Sequence, residues 1–218
     1  GGYSSGGAVT AADYRTWITN FANGIGTRRA IVVLEPDALA ALGCLTAADQ
    51  VARMDLIKYA VQTLKAKGGI SVYIDAGHSR WQTTTTMITR LKSAGIDYAD
   101  GFSLNVSNYI ASTELRTYGE AISAGVGNKH FIIDTSRNGQ GSNGAWCNAS
   151  GSGLGAKPTA STGAPLVDAF FWIKRPGESD GSCNGGPSAG RWWAESADLT
   201  QAHALGLAMR ATTLLAFN

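Results

Sequence analysis

Glu35-Pro36-Asp37 sets two carboxylates around a proline, directly after the apolar run Ile31-Val32-Val33-Leu34. The run is short and β-branched, which favours a strand over a helix. Pro36 has no N–H to donate and closes the run. Polar groups end the similar runs further on: Asp75 followed by His78, then Asn105, then Asp134, then Lys174 with Glu178 and Asp180 just beyond. If these strands are parallel, their ends share one rim, where α/β barrel enzymes gather catalytic groups. Any one of them alone reads better as a polar cap on a strand end; all five together favour a site. Trp81, Tyr109, Trp146 and Trp172 lie among them. An aromatic face beside carboxylates and amides suits a sugar ring, which offers C–H faces to stack and hydroxyls to hydrogen-bond. Trp172, inside its run, is as readily a core residue. The chemistry these groups suit is glycoside hydrolysis, in which one protonated carboxyl donates to the leaving oxygen and a second group directs water. Asp37 is the candidate acid, because burial at the rim and the neighbouring Glu35 would both raise its pKa.

The elements that must position these residues alternate. Strands are predicted at Ile31–Glu35, Ile70–Asp75, Gly101–Val106, Phe131–Asp134 and Ala169–Lys174, apolar enough for a parallel sheet buried on both faces. Helices are predicted at Ala11–Ala22, Thr46–Lys67, Thr84–Ser93 and Ser112–Ala124, with another beginning near Trp192. The second is the clearest: Thr46 and Asp49 form a capping-box pattern, and Val51, Met54, Ile57, Val61 and Leu64 recur at helical spacing. Alternating β and α implies a doubly wound parallel sheet or a barrel in a single domain. The connection from Thr135 to Pro165 is long and rich in Gly, Ser and Asn; a loop of that length is usually functional.

With 218 residues, 44% hydrophobic and only 16% charged, the chain reads as a loop-rich secreted enzyme. A net charge of +2 gives no electrostatic case for nucleic acid or an anionic membrane. No apolar run reaches the roughly 20 residues of a membrane span, and no Cys/His spacing indicates a metal or cofactor. Cys147 and Cys183 sit in Gly/Ser-rich loops and are expected to form a disulfide. That leaves Cys44 either as a buried thiol or with a partner outside this chain. The opening Gly1-Gly2-Tyr3-Ser4-Ser5-Gly6-Gly7 reads as the middle of a loop, so a processed or partial chain is expected.

Three motifs are weighed and set aside. Gly139-Gln140-Gly141-Ser142-Asn143-Gly144 matches a dinucleotide fingerprint, but no amphipathic helix follows it. Gly77-His78-Ser79-Arg80-Trp81 half-resembles a nucleophile elbow, with Trp81 where a glycine belongs, so a Ser79/His78 hydrolase is only a distant alternative. The glycosylation sequons at Asn105 and Asn148 are short, and Asn105 is expected to be buried.

Several stretches together resemble glycoside hydrolase family 6, cellulases that cleave β-1,4-glucan with inversion. They are Val33-Leu34-Glu35-Pro36-Asp37, Tyr73-Ile74-Asp75-Ala76-Gly77-His78, Asn105-Val106-Ser107-Asn108-Tyr109, Asp134-Thr135-Ser136-Arg137-Asn138-Gly139, Trp146-Cys147, and the run from Trp172 to Gly181. The resemblance implies a distorted parallel (β/α) barrel of seven strands, with about five in this chain. It implies Asp37 as general acid, Asp180 as the debated base, Ser5 holding the hydrolytic water and Asp75 as a supporting carboxylate. His78, Trp81, Asn105, Trp172, Lys174 and Glu178 would line the glucosyl subsites, with no cofactor or metal, and the enzyme would be a secreted monomer.

Family members carry Arg-Asp-Cys immediately before the loop that opens this chain, and two strands before that. The resemblance therefore implies that Cys44 pairs upstream of Gly1, and that the 218 residues alone would hydrolyse no cellulose. The short segment from Asp180 to Cys183 implies an open cleft and endo action, as in the bacterial-type endoglucanases. An exo-acting cellobiohydrolase and a non-catalytic glucan-binding protein are the alternatives.

Overall fold

In the computed structural model the described residues are 7–194. They divide into two compact units: residues 7–104, 116–132 and 163–168 form one, and residues 105–115, 133–162 and 169–194 the other. The strands are β1 (Ala30–Leu34), β2 (Ile70–Asp75), β3 (Gly101–Leu104), β4 (His130–Asp134) and β5 (Val167–Phe171), and the helices are α1 (Ala11–Ile25), α2 (Ala47–Lys65), α3 (Thr84–Ser93) and α4 (Ser112–Gly125). The strands form one sheet in chain order, with β1 parallel to β2 and β2 parallel to β3. This is the α/β class expected, with the five strands expected. No helix among the described residues is long and apolar enough to cross a membrane.

In the first unit, Val72 and Ile74 of β2 and Phe102 and Leu104 of β3 are fully buried, as are Ile57, Val61 and Leu64 of α2 and Met87 and Leu91 of α3. Phe102 and Phe131 stack with ring centroids 5.1 Å apart. Gly101 has a packing reason: a Cβ there would lie 2.1 Å from the His130 carbonyl oxygen. Val51, expected on the apolar face of α2, is instead 57% exposed. It is the fifth residue of the helix, ahead of the stretch from Ile57 to Leu64 that packs.

Several boundaries differ from expectation. The reciprocal capping box is at Thr10 and Asp13 of α1, where the sequence reading named none. At Thr46 the hydroxyl accepts the Asp49 N–H (3.2 Å) and donates to the Asp49 carboxylate (2.7 Å), which is one half of the box. β3 stops at Leu104 because Asn105 (φ 67°) and Ser107 (φ 61°) adopt left-handed backbone. β5 stops at Phe171 and not at Lys174. The N–H groups of Ile173 and Lys174 leave the ladder for the Asp134 carboxylate, at 3.3 and 3.0 Å. Trp192 pairs in an isolated antiparallel bridge with Glu178; the helix expected to follow lies outside the described residues, as does Ser5.

Candidate active site

Asp37 and Asp75 are organised within the first unit. β1 ends at Leu34, and the chain turns through Glu35 (φ 52°) and Asp37 (φ 70°). Left-handed backbone costs a non-glycine residue about 1–2 kcal/mol, and several contacts hold it here. Ala38 N–H donates to the Glu35 carbonyl (3.1 Å) and Ala41 N–H to the Asp37 carbonyl (2.8 Å). The Asp37 N–H donates to Asp75 Oδ2 (2.9 Å), which also accepts from Gly77 N–H (3.1 Å), while Oδ1 accepts the Ser103 hydroxyl (3.1 Å).

Asp75 is 1% exposed. Burial, aided by the nearby Asp37 charge, outweighs these hydrogen bonds and pushes its pKa up to about 7. Asp37 as a residue is exposed, yet the protein packed around its carboxyl raises that group above the ordinary carboxylate range. Its proton is held more tightly than an ordinary carboxyl's, and the residue is open to a ligand. Glu35, expected to raise the Asp37 pKa, instead accepts the Tyr14 hydroxyl at 2.8 Å. Burial is the cause at Asp37.

His78 and Trp81 follow β2 with ring centroids 5.6 Å apart and planes tilted by 44°. Trp81 is 38% exposed, and its N–H donates to the His78 carbonyl (3.0 Å), closing a turn. β2 ends at Asp75 and α3 starts only at Thr84, so Ser79 does not stand on the sharp strand-to-helix turn of a nucleophile elbow.

Asp180 is the centre of the second unit. Arg137 Nη1 donates to both its oxygens, at 2.9 and 2.8 Å, with the two side chains 7% and 12% exposed. Lys174 Nζ lies 3.2 Å from Oδ1, the Tyr109 hydroxyl donates to Oδ2 (3.1 Å), and so does the Asn148 N–H (2.9 Å). Burial alone would raise this carboxyl, but the Arg137 charge, the Asn148 N–H and Lys174 outweigh it and hold its pKa below the ordinary value. Arg137 also stacks over the Tyr109 ring, 4.4 Å from its centroid, and donates to the Ser107 carbonyl. Burial pushes the Tyr109 hydroxyl up to about 12, so it remains a donor.

Lys174 lies 3.9 Å from Glu178, which also pairs with Arg175. Trp172 is half-buried, and its Nε1–H donates to the Ala156 carbonyl (3.0 Å). Asn105 is fully buried. Its amide donates to the Asp134 and Asn108 carbonyls (2.9 and 3.3 Å) and accepts the Ile110 N–H (3.0 Å). Asp134 likewise accepts backbone N–H groups from Ser107, Ser136, Ile173 and Lys174.

The long loop folds back on itself. Gly139 N–H donates to Gly153 and Gly155 N–H to Thr135 (2.8 and 2.9 Å). A Cβ at Gly139 would meet the Leu154 oxygen at 2.1 Å, which accounts for glycine in the apparent dinucleotide motif. The expected Cys147–Cys183 disulfide is formed. Asn148 donates to the Gly181 and Cys183 carbonyls (2.7 and 2.9 Å) and accepts the Asp180 N–H (2.8 Å). Its amide is therefore committed to the fold. Cys44 is exposed, which overturns the buried-thiol alternative, and it has no disulfide partner among the described residues.

Arg137 and Asn148 were given no role from sequence. The available signal was a lone basic residue beside a strand-end aspartate in a Gly/Ser-rich loop, where a cation needs a partner. Among the described residues no His/Cys/Asp/Glu group could hold a metal ion.

The chain matches the family model of glycosyl hydrolases family 6 over residues 1–202. It is 50% identical to Endoglucanase A of Cellulomonas fimi over 196 residues, covering 90% of this chain and 43% of that protein. It is 44% identical to Endoglucanase 1 of Streptomyces halstedii, covering 90% of this chain and 63% of that protein. The chain thus spans about half the length of these curated relatives. The endoglucanase Cel6 of Mycobacterium tuberculosis, solved with methyl-cellobiosyl-4-deoxy-4-thio-β-D-cellobioside, superposes with a TM-score of 0.89 at 49% identity, covering 94% of this chain and 72% of that one. The strand-end carboxylates, their spacing along the chain and these matches agree: the chain belongs to glycosyl hydrolases family 6.

Proposed function

We propose that this chain carries catalytic residues of a secreted, monomeric endo-β-1,4-glucanase that inverts the anomeric centre. The observation that carries the reading is Asp37: exposed, with its N–H tied to Asp75 and its carboxyl raised by the protein packed around it. A general acid near neutral pH must keep its proton until the leaving oxygen needs it. Asp37 gives that proton to the glycosidic oxygen as the C–O bond breaks, while water adds to the opposite face and gives up a proton in turn. Asp180 is the candidate acceptor of that proton. With Arg137 and Lys174 holding it ionised, it serves at least as a fixed negative charge toward the oxocarbenium-like transition state. Ser5 is the candidate anchor for the water. Asp75 fixes the Asp37 backbone, and His78, Trp81, Trp172, Lys174, Glu178 and, through the loop it organises, Asn105 form the glucosyl subsites.

The relatives' names, endoglucanases in two bacteria, and the short Asp180–Cys183 segment support endo action. The test uses the protein at its natural length. Proton NMR of the first product from a soluble cello-oligosaccharide is expected to show a new α end, with a rapid viscosity fall on soluble cellulose. Asp37→Asn is expected to lower kcat about 10²–10⁴-fold. A first product with a β end refutes inversion. Cellobiose as the dominant early product refutes endo action. Oligosaccharide binding without turnover establishes the glucan-binding alternative.

A further inference from the structure

We propose that Arg90 of α3 is a positioning residue for Asp37: its guanidinium holds the turn that carries the proton donor. The inference rests on Asp37 as the acid. Arg90 Nη1 donates to the Leu39 carbonyl (2.7 Å) and the Ala40 carbonyl (3.1 Å), and Gln82 Nε2 adds a bond to Ala40 O (2.8 Å). Leu39 and Ala40 are fully buried, and they lead into a 3-10 helix, Ala40–Cys44, whose start has no side-chain cap. Without Arg90 two buried carbonyls would lose a charge-assisted donor, an expensive loss in a dry site.

The turn is short enough to transmit that loss. Asp37's own carbonyl accepts Ala41 N–H at 2.8 Å, so Arg90 grips the main chain inside the hydrogen-bonded ring that contains Asp37. The other side of the turn is already close-packed: a Cβ on Gly77 would stand 3.0 Å from Ala40 Cβ. The strained φ of 70° at Asp37 persists only if its surroundings hold it, and Arg90 is the charged donor among the side chains that anchor the turn, beside the Asp75 carboxylate and the Gln82 amide.

A purely structural role would leave the acid's titration untouched, and a positioning role would not. The titratable and charged groups around the turn are Asp75 at the end of β2, Glu35 in the turn with Tyr14 of α1, Arg90 of α3 and Tyr118 of α4. Tyr118 has a buried hydroxyl, without a hydrogen-bond partner among the described residues, that interacts with the charges of Arg90 and Asp75. None of them outweighs packing at Asp37. A loosened turn admits water to Asp37 and lets its pKa fall.

In the natural-length protein, Arg90→Met is expected to lower kcat about ten- to a hundredfold, as small misplacements of catalytic groups do, with little change in KM. The basic limb of kcat/KM should move to lower pH, because an acid of lower pKa loses its proton earlier. Arg90→Lys keeps a cation with a single head and should recover part of kcat; if Arg90→Met does not fold, this variant decides. Titration of the Asp37 side-chain carbon by 13C NMR reads the coupling without any turnover. A lowered Asp37 pKa in the Arg90 variant supports the inference even if Asp37→Asn proves fully active and the functional reading fails. Parental kcat, pH limb and Asp37 titration, with only a lower melting temperature, overturn it.

Discussion

Asp75 and Asp180 are both carboxylates taken out of water and both bound by several donors, yet their pKa values move in opposite directions. Asp75 accepts two N–H groups and a hydroxyl, all neutral donors, and burial wins, raising its pKa to about 7. Asp180 accepts neutral donors too, but Arg137 and Lys174 stand within 2.8 and 3.2 Å of it, and it stays ionised below its ordinary range. Full positive charges at hydrogen-bond distance decide the matter; neutral donors at the same distances do not. The two regions therefore respond to pH with opposite sign. Asp75, with a folded pKa above its unfolded one, contributes stability fully below the ordinary carboxylate value of 3.8 and loses it as pH rises toward about 7. Asp180, with a folded pKa below its unfolded one, contributes above that unfolded value and loses it as pH falls through the folded pKa.

The largest test breaks the ion pair. Arg137→Met should cost about 3 kcal/mol in a urea titration near neutral pH, at the low end for a severed buried pair because Lys174 remains. It should also make Asp180 behave more like Asp75, so that the loss of stability on acidification shrinks. A variant as stable as the parent would show that the pair balances its own desolvation. Next comes Asp75→Asn. An asparagine can keep its carbonyl toward the Asp37 and Gly77 N–H groups and turn its NH₂ to Ser103, so geometry survives while the titration disappears. The fall of the urea midpoint between about pH 4 and 7 should flatten; an unchanged slope would place that titration elsewhere. Smallest is Tyr109→Phe, which removes one donor to Asp180 and the acceptor of Ala149 N–H while leaving the ring against Arg137. About 1–2 kcal/mol is expected by the same titration, and no change would mean that the cations alone hold Asp180.

The local elements were legible because local rules make them. β2 and α3 begin and end where the sequence placed them, since an apolar run closed by a carboxylate and a short helical segment are patterns within a few residues; the structure adds Thr83 as the cap that starts α3. β5 was displaced because its end is set at a distance, by Asp134 drawing Ile173 and Lys174 off the ladder. Asp37 could be read as a candidate donor at a strand end. Glu35, read as structural or as tuning the Asp37 pKa, proves structural; adjacency in sequence does not show that Tyr14 takes that carboxylate. Asn105 was expected to be buried and is; what it binds there could not be read.

By itself the sequence determined the alternation of strands and helices, the carboxylates after β1 and β2, the Cys147–Cys183 pairing and the family's motifs. Periodicity, proline and glycine placement, and residue type are properties of short segments. Only the tertiary structure decided which carboxylates titrate high and which low. Arg137 reaches Asp180 across 43 positions of chain, and Arg90 reaches Leu39 across 51. No short-range pattern records such pairs, because a side chain's protonation depends on the dielectric and the charges around it in space.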